Sequence, residues 1–472
     1  MLVRVLGVEC GFSDCRTRLP FRFGVATLRR ADLVVARVFL ETEEGRRVSG
    51  YASDLLVPKW FDKDPRKSAQ DDRRDLVESI WRGARAFRGA GEGCVFDLWH
   101  RAYRRAVLER RGVGLVDGFG VALLERASMD AACRAAGLSF FDALREGLFG
   151  FRPEQIHPEL AGFRLADTLG PPLARITLRH TVGLADPLRT KEVGEELDPR
   201  DGLPVSLEED IRVNGLHCFK LKICGDPEAD RARLVEIARV VGEAAIASPR
   251  FTLDGNEQVE DLTQLIHLLR DLEKDPDGRR IVEGLLYIEQ PLSRRNSLDP
   301  DATRELAALE TWAPVIIDEA DSSLEAFPSA LERGYRGVSV KNCKGVFRAL
   351  LHRGLCEARG NGAFQASEDL TNLPVLALQQ DLATLCALGL EHSERNGHHY
   401  FRGLDHLPES EAEAAYREHP DLYRKDARGI GLRIDAGGLE VASLQSPGYG
   451  YRVPIDLESR DPLEEPGRSE VP

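Results

Sequence analysis

The sequence predicts an α/β protein built on a TIM-type barrel, with an α+β capping domain formed by the N-terminal region and the C-terminal tail. Three observations predict this fold class. From about residue 172, short apolar segments with strand character alternate with helical segments that begin at strong capping residues. Eight such strands can be counted, and gaps of 35 and 29 residues between strand ends match a strand-helix-strand unit of roughly 30 residues. Three neighbouring strands end in a carboxylate, at the edge where such a barrel places its active site.

Residues 1–171 are predicted to form the capping domain. Alternating apolar segments in residues 1–55 predict antiparallel strands. Three helical patterns follow, and Gly137 is the expected C-cap of the last one. The helical patterns cover residues 75–87, 95–108 and 121–136. Strands followed by helices are typical of an α+β domain.

Residues 172–424 are predicted to form the barrel. The strands are predicted near 176–183, 217–223, 250–254, 284–289, 314–318, 336–341, 362–367 and 387–392. Helices between them begin at caps such as Asp226-Pro227. An open, doubly wound sheet is the alternative, and it is disfavoured because no glycine-rich phosphate loop follows any strand.

Residues 425–472 are predicted to return to the capping domain. A hairpin is expected across 431–441, followed by a turn at 446–450. From about Glu458 the chain is charged and contains proline, so we expect these last residues to fray.

The composition excludes several classes of partner. The net charge is −14, which disfavours nucleic acid and anionic membranes as partners. No apolar segment approaches the ~18 residues that a membrane span needs, and the N-terminus has the pattern of a strand and not of a signal peptide. The nine cysteines form no Cys-x-x-Cys pair, so reduced thiols and a cytoplasmic location are expected.

Asp254, Glu289 and Asp318 end the three apolar runs mentioned above. Carboxylates at the ends of neighbouring parallel strands would repel one another unless a hard cation lies between them. Acids at strand ends can instead cap helices. That alternative is weak for Glu289, because Gln290-Pro291 and a loop follow it. The pattern therefore predicts a metal-dependent enzyme.

Two lysines share one face of the strand near 217–223. Side chains two positions apart on a strand point the same way, so Lys220 and Lys222 should both face the barrel interior. Lys341 ends another predicted strand on the opposite side. Lysines on two walls, with a carboxylate-bound cation between them, predict removal of the proton α to a substrate carboxylate. Burial and the cation should lower a lysine pKa toward ~7–8, although a structural role is the alternative for Lys222 alone.

These motifs resemble the enolase superfamily, and within it the branch of muconate lactonizing enzyme and dipeptide epimerase, in the mandelate racemase/muconate lactonizing enzyme family. The resemblance covers nearly the whole chain, and it depends on an ordered set of short motifs. They are Lys220-Leu-Lys222, Asp254-Gly-Asn256, Ile288-Glu-Gln-Pro-Leu292, Ile317-Asp-Glu319, Val338-Ser-Val-Lys341, the cap segment 123–130 and the closing segment 446–450.

The resemblance implies a (β/α)7β barrel with a metal centre. Asp254, Glu289 and Asp318 would bind Mg²⁺, or Mn²⁺ in its place, and Asn256 would support the metal shell. The implied partner is a small-molecule carboxylate, and the chain is expected to be a homo-oligomer.

The resemblance also implies roles for the lysines. Lys222 would be the base on one face of the substrate, Lys220 would tune it, and Lys341 would be the acid or base on the opposite face. The family usually has a double glycine shortly after this last lysine, whereas this chain continues Asn-Cys-Lys-Gly-Val. Lys344 is therefore a rival for the role of Lys341.

The implied activity is that of an isomerase (racemase, epimerase or cycloisomerase) acting through a metal-stabilised enolate. A syn-dehydratase, of the o-succinylbenzoate synthase type or acting on acid sugars, is the alternative enzyme. A catalytically silent barrel that only binds ligands is the alternative outside catalysis, although such a protein has no physical reason to keep repelling acids together.

Several further residues border the predicted pocket. Glu368 and Glu391 are predicted at the ends of the seventh and eighth strands, as ligands for the far end of the substrate or as rim charges. Trp60 is expected to be exposed in the cap, either closing over substrate or packing. The histidines at 392, 398 and 399 are interpreted as part of a polar surface loop. Segments 55–115 and 184–210 are predicted insertions beside the pocket.

Overall fold

The chain begins with three antiparallel strands, and four helices follow them. In chain order these elements are β1 (Val3–Phe23), β2 (Ala26–Thr42), β3 (Arg47–Leu55), α1 (Ala69–Arg88), β4 (Glu92–Gly93), α2 (Val95–Ala106), α3 (Leu115–Ala136) and α4 (Phe140–Arg145). The structure is a computed structural model that describes residues 1–110 and 114–466. Strand β2 lies between β1 and β3 and pairs antiparallel with both.

Helix α3 packs directly on strand β3, and glycine makes this approach possible. A Cβ atom at Gly50 would lie 2.2 Å from the backbone nitrogen of Ala131, so no larger residue fits there. Gly120 brings α3 equally close to α1, because a Cβ atom there would lie 2.1 Å from the carbonyl oxygen of Ser79. Helix α3 is therefore buried on nearly all sides, and it presents Glu125 to the barrel.

Eight parallel strands form a closed barrel. They are β5 (Arg175–Val182), β6 (Cys218–Lys222), β7 (Arg250–Asp254), β8 (Leu285–Glu289), β9 (Val315–Ile317), β10 (Gly337–Val340), β11 (Phe364–Ser367) and β12 (His392–Arg395). Each strand pairs with the next, and β12 pairs with β5 to close the circle. The predicted TIM-type barrel is confirmed, and the open doubly wound sheet is excluded.

Helices connect the barrel strands and cover their outer face. They are α5 (Leu207–Asn214), α6 (Pro227–Glu243), α7 (Leu262–Lys274), α8 (Arg279–Gly284), α9 (Leu306–Leu309), α10 (Ala326–Arg333), α11 (Val346–Arg359), α12 (Leu376–Leu388) and α13 (Gly397–Tyr400). Helix α6 begins as predicted, because the Asp226 side chain accepts hydrogen bonds from the backbone N–H groups of Glu228 and Ala229.

The last barrel strand begins later than predicted. The sequence analysis places it at 387–392, whereas β12 begins at His392. The apolar residues before it complete helix α12 and its left-handed cap at Gly389. A short apolar run fits a buried helix end as well as a strand, so the pattern alone does not separate them.

The C-terminal tail contacts both the barrel and the cap. Its elements are α14 (Glu409–Glu418), β13 (Tyr423–Asp426), β14 (Gly429–Leu432), β15 (Gly438–Glu440) and β16 (Asp461–Pro462). The predicted hairpin across 431–441 is wrong, because β14 pairs with β13 whereas β15 adds to β5 and buries Leu439. Fraying from about Glu458 is also wrong for residues up to 466, where β16 pairs with β1. The last residues, 467–472, lie outside the described part of the chain.

Two expectations from composition can be compared with the structure. None of the helices in the described ranges is long and apolar enough to cross a membrane. All nine cysteines are described, none forms a disulfide, and eight of them are buried.

Candidate active site

Strand β6 carries two lysines whose ammonium groups lie inside the barrel. Lys220 and Lys222 are buried, with 1% and 6% of their surface exposed. Lys222 Nζ donates a hydrogen bond of 2.5 Å to Asp254 Oδ2. Lys222 and Asp254 end neighbouring parallel strands in the same register, which sets their side chains next to each other.

Lys220 lies within a ring of four buried carboxylates. Its Nζ atom is 2.9 Å from Asp254 Oδ2, 2.6 Å from Glu289 Oε2, 2.7 Å from Glu368 Oε2 and 2.8 Å from Glu394 Oε2. Burial opposes the ammonium charge, but these carboxylates raise the pKa of Lys220 well above 10.5. The expected lowering of a lysine pKa, which includes the effect of a bound cation, stays a prediction.

Glu289 is a fully buried acid with an incomplete set of partners. Its Oε1 atom has no hydrogen-bond partner, and Oε2 contacts Lys220 outside hydrogen-bond geometry. Burial, together with the nearby charges of Asp254 and Glu368, raises the pKa of Glu289 well above 4.5. An ionised Glu289 therefore needs more positive charge than Lys220 alone supplies.

Asp318 follows strand β9 and contacts residues of the neighbouring strand β10, on the side of the barrel opposite β6. Lys341 Nζ donates a hydrogen bond of 2.6 Å to Asp318 Oδ2, and the Ser339 hydroxyl donates to Oδ1. Burial opposes ionisation, but Lys341 and Lys344 hold the pKa of Asp318 below its usual range. Burial likewise opposes the charge of Lys341, yet Asp318 raises the pKa of Lys341 above 10.5.

Asp254, Glu289 and Asp318 supply the all-oxygen donor set that Mg²⁺ prefers. Their carboxylates are not among the described clusters in which every ligand atom lies within 4.8 Å of the others. Ammonium groups lie between them, since Lys220 contacts Asp254 and Glu289 and Lys341 contacts Asp318. Binding one ion would require side-chain rotations toward the space between the strand ends. The unpaired, buried Oε1 of Glu289 fits a cation ligand.

A small pocket lies above these groups, under the capping domain. Its roof is apolar and comes from β1 and the segment after β3, and its floor is polar. The lining residues are Phe21, Phe23, Val57, Trp60, Lys222, Asn256, Lys341, Asp369, Leu370, Thr371, Glu394 and Asn396. Lysines from two opposite strands therefore face one pocket.

Residues 205–438 match the model of the family described as "Enolase C-terminal domain-like". The chain belongs to the enolase superfamily. The match begins just before helix α5 and ends at the first residue of β15, so it includes the two lysine strands and the three acids. Within the superfamily, the chain belongs to the branch of mandelate racemase and muconate lactonizing enzyme, as the sequence motifs predict.

Solved structures of this superfamily have the same fold as the chain. A muconate lactonizing enzyme from Pseudomonas fluorescens, complexed with muconolactone, is 15% identical over 96% of this chain and 97% of its own, with a TM-score of 0.61. A dipeptide epimerase from Cytophaga hutchinsonii, complexed with Mg and a dipeptide, is 16% identical over 98% and 99%, with a TM-score of 0.59. An N-succinyl Arg/Lys racemase from Bacillus cereus is 14% identical over 98% of both chains, with a TM-score of 0.62. No curated protein sequence matches the chain.

The two rival lysines of this enolase-superfamily chain have different surroundings. Lys341 lines the pocket, where its Nζ atom lies 4.6 Å from the centroid of the Trp60 ring. Lys344 does not line this pocket; its Nζ atom donates hydrogen bonds of 2.8 Å to Asp321 Oδ2 and to Ser339 Oγ. These positions favour Lys341 over Lys344 as the second acid or base.

Of the two predicted supporting residues Asn256 and Glu368, only Asn256 lines the pocket. Asn256 lines it; its backbone N–H donates to Asp254 Oδ1 at 2.8 Å, and its own Oδ1 has no hydrogen-bond partner. Glu368 does not line the pocket, because Lys220, Arg179 and the Tyr287 hydroxyl all hydrogen-bond its carboxylate. Glu368 is therefore placed to adjust the charge around Lys220 and not to contact a substrate.

Two predicted pocket residues are corrected by the structure. Glu391 is exposed and precedes β12, at the opposite end of the barrel from the pocket, because the last strand starts later than predicted. Trp60 is buried and not exposed, because the segment after β3 folds onto the barrel mouth and stacks the indole edge-on against Phe61. Trp60 nevertheless lines the pocket.

Glu394 is a pocket residue that the sequence analysis missed. It lies on β12, contacts Lys220, and accepts a hydrogen bond of 2.7 Å from the Thr181 hydroxyl. Burial opposes ionisation, but Lys220 and Lys222 hold the pKa of Glu394 well below its usual range. The polar run Ser-Glu-Arg-Asn before the glycine was the available signal, and placing the last strand three residues later would have revealed it.

Lys63 was missed as well, and no sequence signal indicates it. It lies in the segment between β3 and α1, and its Nζ atom donates to the carbonyl oxygen of Asn256 at 2.8 Å and contacts Glu257 at 2.6 Å. It also lies 3.4 Å from Glu319, the acid next to Asp318. A cap residue therefore holds the barrel loop that carries Asn256.

The histidine-rich segment is not a polar surface loop, and that interpretation is wrong. His399 is only 2% exposed, and His398 Nε2 lies 3.1 Å from His180 Nδ1 on β5. The segment turns inward because Asp210 on helix α5 provides a buried carboxylate, 2.8 Å from His399 Nδ1.

Proposed function

We propose that this chain is a magnesium-dependent isomerase that removes the proton α to the carboxylate of a small substrate and returns it. The proposal rests on one observation above all. Lys222 and Lys341, from opposite walls of the barrel, line the same pocket, and each is hydrogen-bonded to a different candidate metal ligand. Two amines on two sides of one substrate carbon are what proton removal and return on opposite faces require.

Asp254, Glu289 and Asp318 would hold the ion, with Asn256 beside them. When bound, Mg²⁺ or Mn²⁺ would neutralise negative charge on the substrate carboxylate as the α-carbon loses its proton. The surroundings of Glu289 support this assignment, because burial, together with the charges of Asp254 and Glu368, raises its pKa, while its Oε1 atom has no hydrogen-bond partner.

The lysines would then divide the proton transfers. A neutral amine takes the proton from the α-carbon on one face, which leaves an enolate of the substrate. The ammonium on the other wall gives a proton to the opposite face, which inverts the centre in a racemase or epimerase. In a cycloisomerase the same enolate forms when a group of the substrate adds to a double bond within the molecule. In the reverse direction the enolate expels that group by elimination. Lys220 stays protonated among its carboxylates and acts on Lys222 through charge.

The pocket supports a small substrate with an apolar part. Phe21, Phe23 and Val57 cover it with carbon atoms, whereas Asn396 and Thr371 offer polar groups at its side. Water exclusion by this roof strengthens the electrostatic interactions beneath it. A homo-oligomer and a cytoplasmic location stay predictions.

Exchange of the α-hydrogen with solvent tests the proposal. The full-length chain, with Mg²⁺ in deuterated water, is incubated with panels of N-acyl amino acids, dipeptides, lactones and acid sugars, and products are followed by mass and proton NMR. Deuterium at the α-carbon without loss of water supports the isomerase. A product that has lost water supports the syn-dehydratase instead. No exchange with any panel, together with no effect of Mg²⁺ or Mn²⁺ on thermal stability, would indicate a silent barrel.

A further inference from the structure

Three metal-ligating side chains meet at the seam where the barrel closes, away from the three acids. His180 lies on β5, Asp210 on α5, and His398 on α13 directly after β12. One ligand atom from each lies within 4.8 Å of those from the other two. His180 Nδ1 is 3.1 Å from His398 Nε2, and His180 Nε2 is 3.9 Å from Asp210 Oδ2.

The polar atoms of this cluster are buried and short of partners. His180 is 2% exposed and Asp210 is 1% exposed. Asp210 Oδ2 and His398 Nδ1 have no hydrogen-bond partner, although buried polar atoms in folded proteins nearly always have one. The other oxygen of Asp210 accepts a hydrogen bond of 3.0 Å from Asn214, which fixes the carboxylate with Oδ2 toward the histidines.

A third histidine lies close to the same carboxylate from another side. His399 Nδ1 lies 2.8 Å from Asp210 Oδ2, outside hydrogen-bond geometry, and neither of its ring nitrogens has a hydrogen-bond partner. Carboxylates that bind metals are commonly oriented by such neighbours. The buried carboxylate therefore faces three imidazole rings, whereas a single hydrogen-bonded histidine–carboxylate pair would involve only one.

The cluster also borders a cavity. A cavity of about 70 Å³ is lined by both Asp210 and His398, which gives an ion and its water a route to the cluster.

We propose that His180, Asp210 and His398 form a second metal site, which takes a zinc-type transition-metal ion and not magnesium. Two imidazole nitrogens and one carboxylate oxygen suit Zn²⁺, Co²⁺ or Ni²⁺, whereas Mg²⁺ prefers oxygen donors alone. Three protein ligands leave a position for water from the cavity. The site is separate from the acids that would hold magnesium, and it does not depend on the proposed activity.

The positions of the ligands indicate what the ion does. They come from the first barrel strand, from the helix that ends the 184–210 insertion, and from the segment after the last strand. A shared ion ties these three segments together at the closing seam. Arg18 of the cap already joins two of them, because it donates to His399 O at 2.7 Å and to Asp201 Oδ2 at 2.6 Å. Asn396, two residues before His398, lines the active-site pocket, so a bound ion would stabilise the segment that forms this side of the pocket.

Metal titration of the tag-free, full-length chain tests the site. The protein is stripped of metal, supplied with excess Mg²⁺, and titrated with Co²⁺ while its visible absorption is recorded. We expect one equivalent of Co²⁺ to bind with the spectrum of nitrogen ligation, Zn²⁺ to displace it, and Zn²⁺ to raise the melting temperature. His398→Gln should weaken Co²⁺ binding at least tenfold. Asp210→Asn should have the same effect, and it replaces His398→Gln in the experiment if that variant fails to fold.

Two control variants identify where the ion binds. His406→Gln removes a histidine outside the cluster, and Asp254→Asn alters the proposed magnesium site. Both should bind Co²⁺ like the unaltered chain. The proposal is overturned if the unaltered chain binds no Co²⁺ in excess Mg²⁺, if binding survives both His398→Gln and Asp210→Asn, or if Asp254→Asn abolishes it.

Discussion

Lys341 Nζ lies 4.6 Å from the centroid of the Trp60 ring, so an indole from the cap covers a lysine from the barrel wall. The same ammonium donates to Asp318 from its other side. The ammonium of Lys341, the proposed proton-transfer group, therefore contacts both an acid of the barrel and an aromatic ring of the cap, and its environment depends on how these two parts of the chain pack.

Replacing Trp60 should affect catalysis more than folding when the new residue is a large apolar one. A cation over an aromatic face is stabilised by ~0.5–2 kcal/mol, so Trp60→Leu should lower kcat/KM about tenfold. Trp60→Phe keeps an aromatic face and should retain most of the activity. The measurement is kcat/KM with any substrate found by α-hydrogen exchange, and equal loss in both variants would contradict the cation–aromatic role.

Each pocket lysine should serve one face of the substrate. With a pair of stereoisomers, Lys222→Ala should stop α-hydrogen exchange from one isomer and Lys341→Ala from the other, each by about 10²–10⁴-fold. Mass spectrometry of each isomer in deuterated water measures the two rates separately. Exchange that persists from both isomers in Lys341→Ala would exclude Lys341 from the chemistry.

Lys344→Gln is the control for this pair. Lys344 bonds Asp321 and Ser339 and is absent from the pocket lining, so its loss should lower the melting temperature and leave exchange from both isomers in place. Loss of exchange in folded Lys344→Gln would instead make Lys344 the second acid or base.

Glu289→Gln should stabilise the metal-free chain and abolish its response to magnesium. The carboxylate is buried, has one oxygen without a partner, and has a raised pKa, so a neutral amide relieves repulsion. Thermal unfolding with and without Mg²⁺ measures both effects. Glu391→Gln, at the exposed start of β12, should behave like the unaltered chain. Full magnesium stabilisation of Glu289→Gln would remove Glu289 from the metal site.

The sequence predicts the barrel and its lysine wall because their signals are local. Each apolar run that ends in an acid fixes a strand and its polar tip together, so Asp254 and Glu289 could be placed within their strands in advance. Glu394 was missed because the apolar run before it does not end in the acid of a strand. The apolar residues before it belong to helix α12, and nothing in a short apolar run distinguishes a helix end from a strand.

Contacts between distant segments are what the sequence does not reveal. Lys63 reaches Glu257 across 194 residues of chain, with no periodicity that links the two. The cluster of His180, Asp210 and His398 likewise needs the closed barrel to bring its first and last strands together. Burial of the histidines also depends on α5, which lies at the end of a predicted insertion.

Glu125 should make stability depend on pH at the contact between the cap and the barrel. It lies on α3 and accepts hydrogen bonds from the backbone N–H groups of Val346 and Phe347, at the start of α11. Burial raises the pKa of Glu125 from 4.5 to about 8. The folded chain thus keeps a proton that the unfolded chain loses above pH 4.5. Stability from this group is complete below that pH and falls as the pH rises toward 8, by up to about 1.4 kcal/mol per pH unit.

Glu125→Gln should remove this pH dependence because an amide does not titrate. Chemical denaturation of both chains at pH 5 and pH 8 measures the effect, and the difference between them cancels the titration of all other groups. The unaltered chain should lose more stability between the two pH values than the variant does. Parallel losses in the two chains would show that Glu125 is ionised in the folded protein, held by the N-terminus of α11 in spite of its burial.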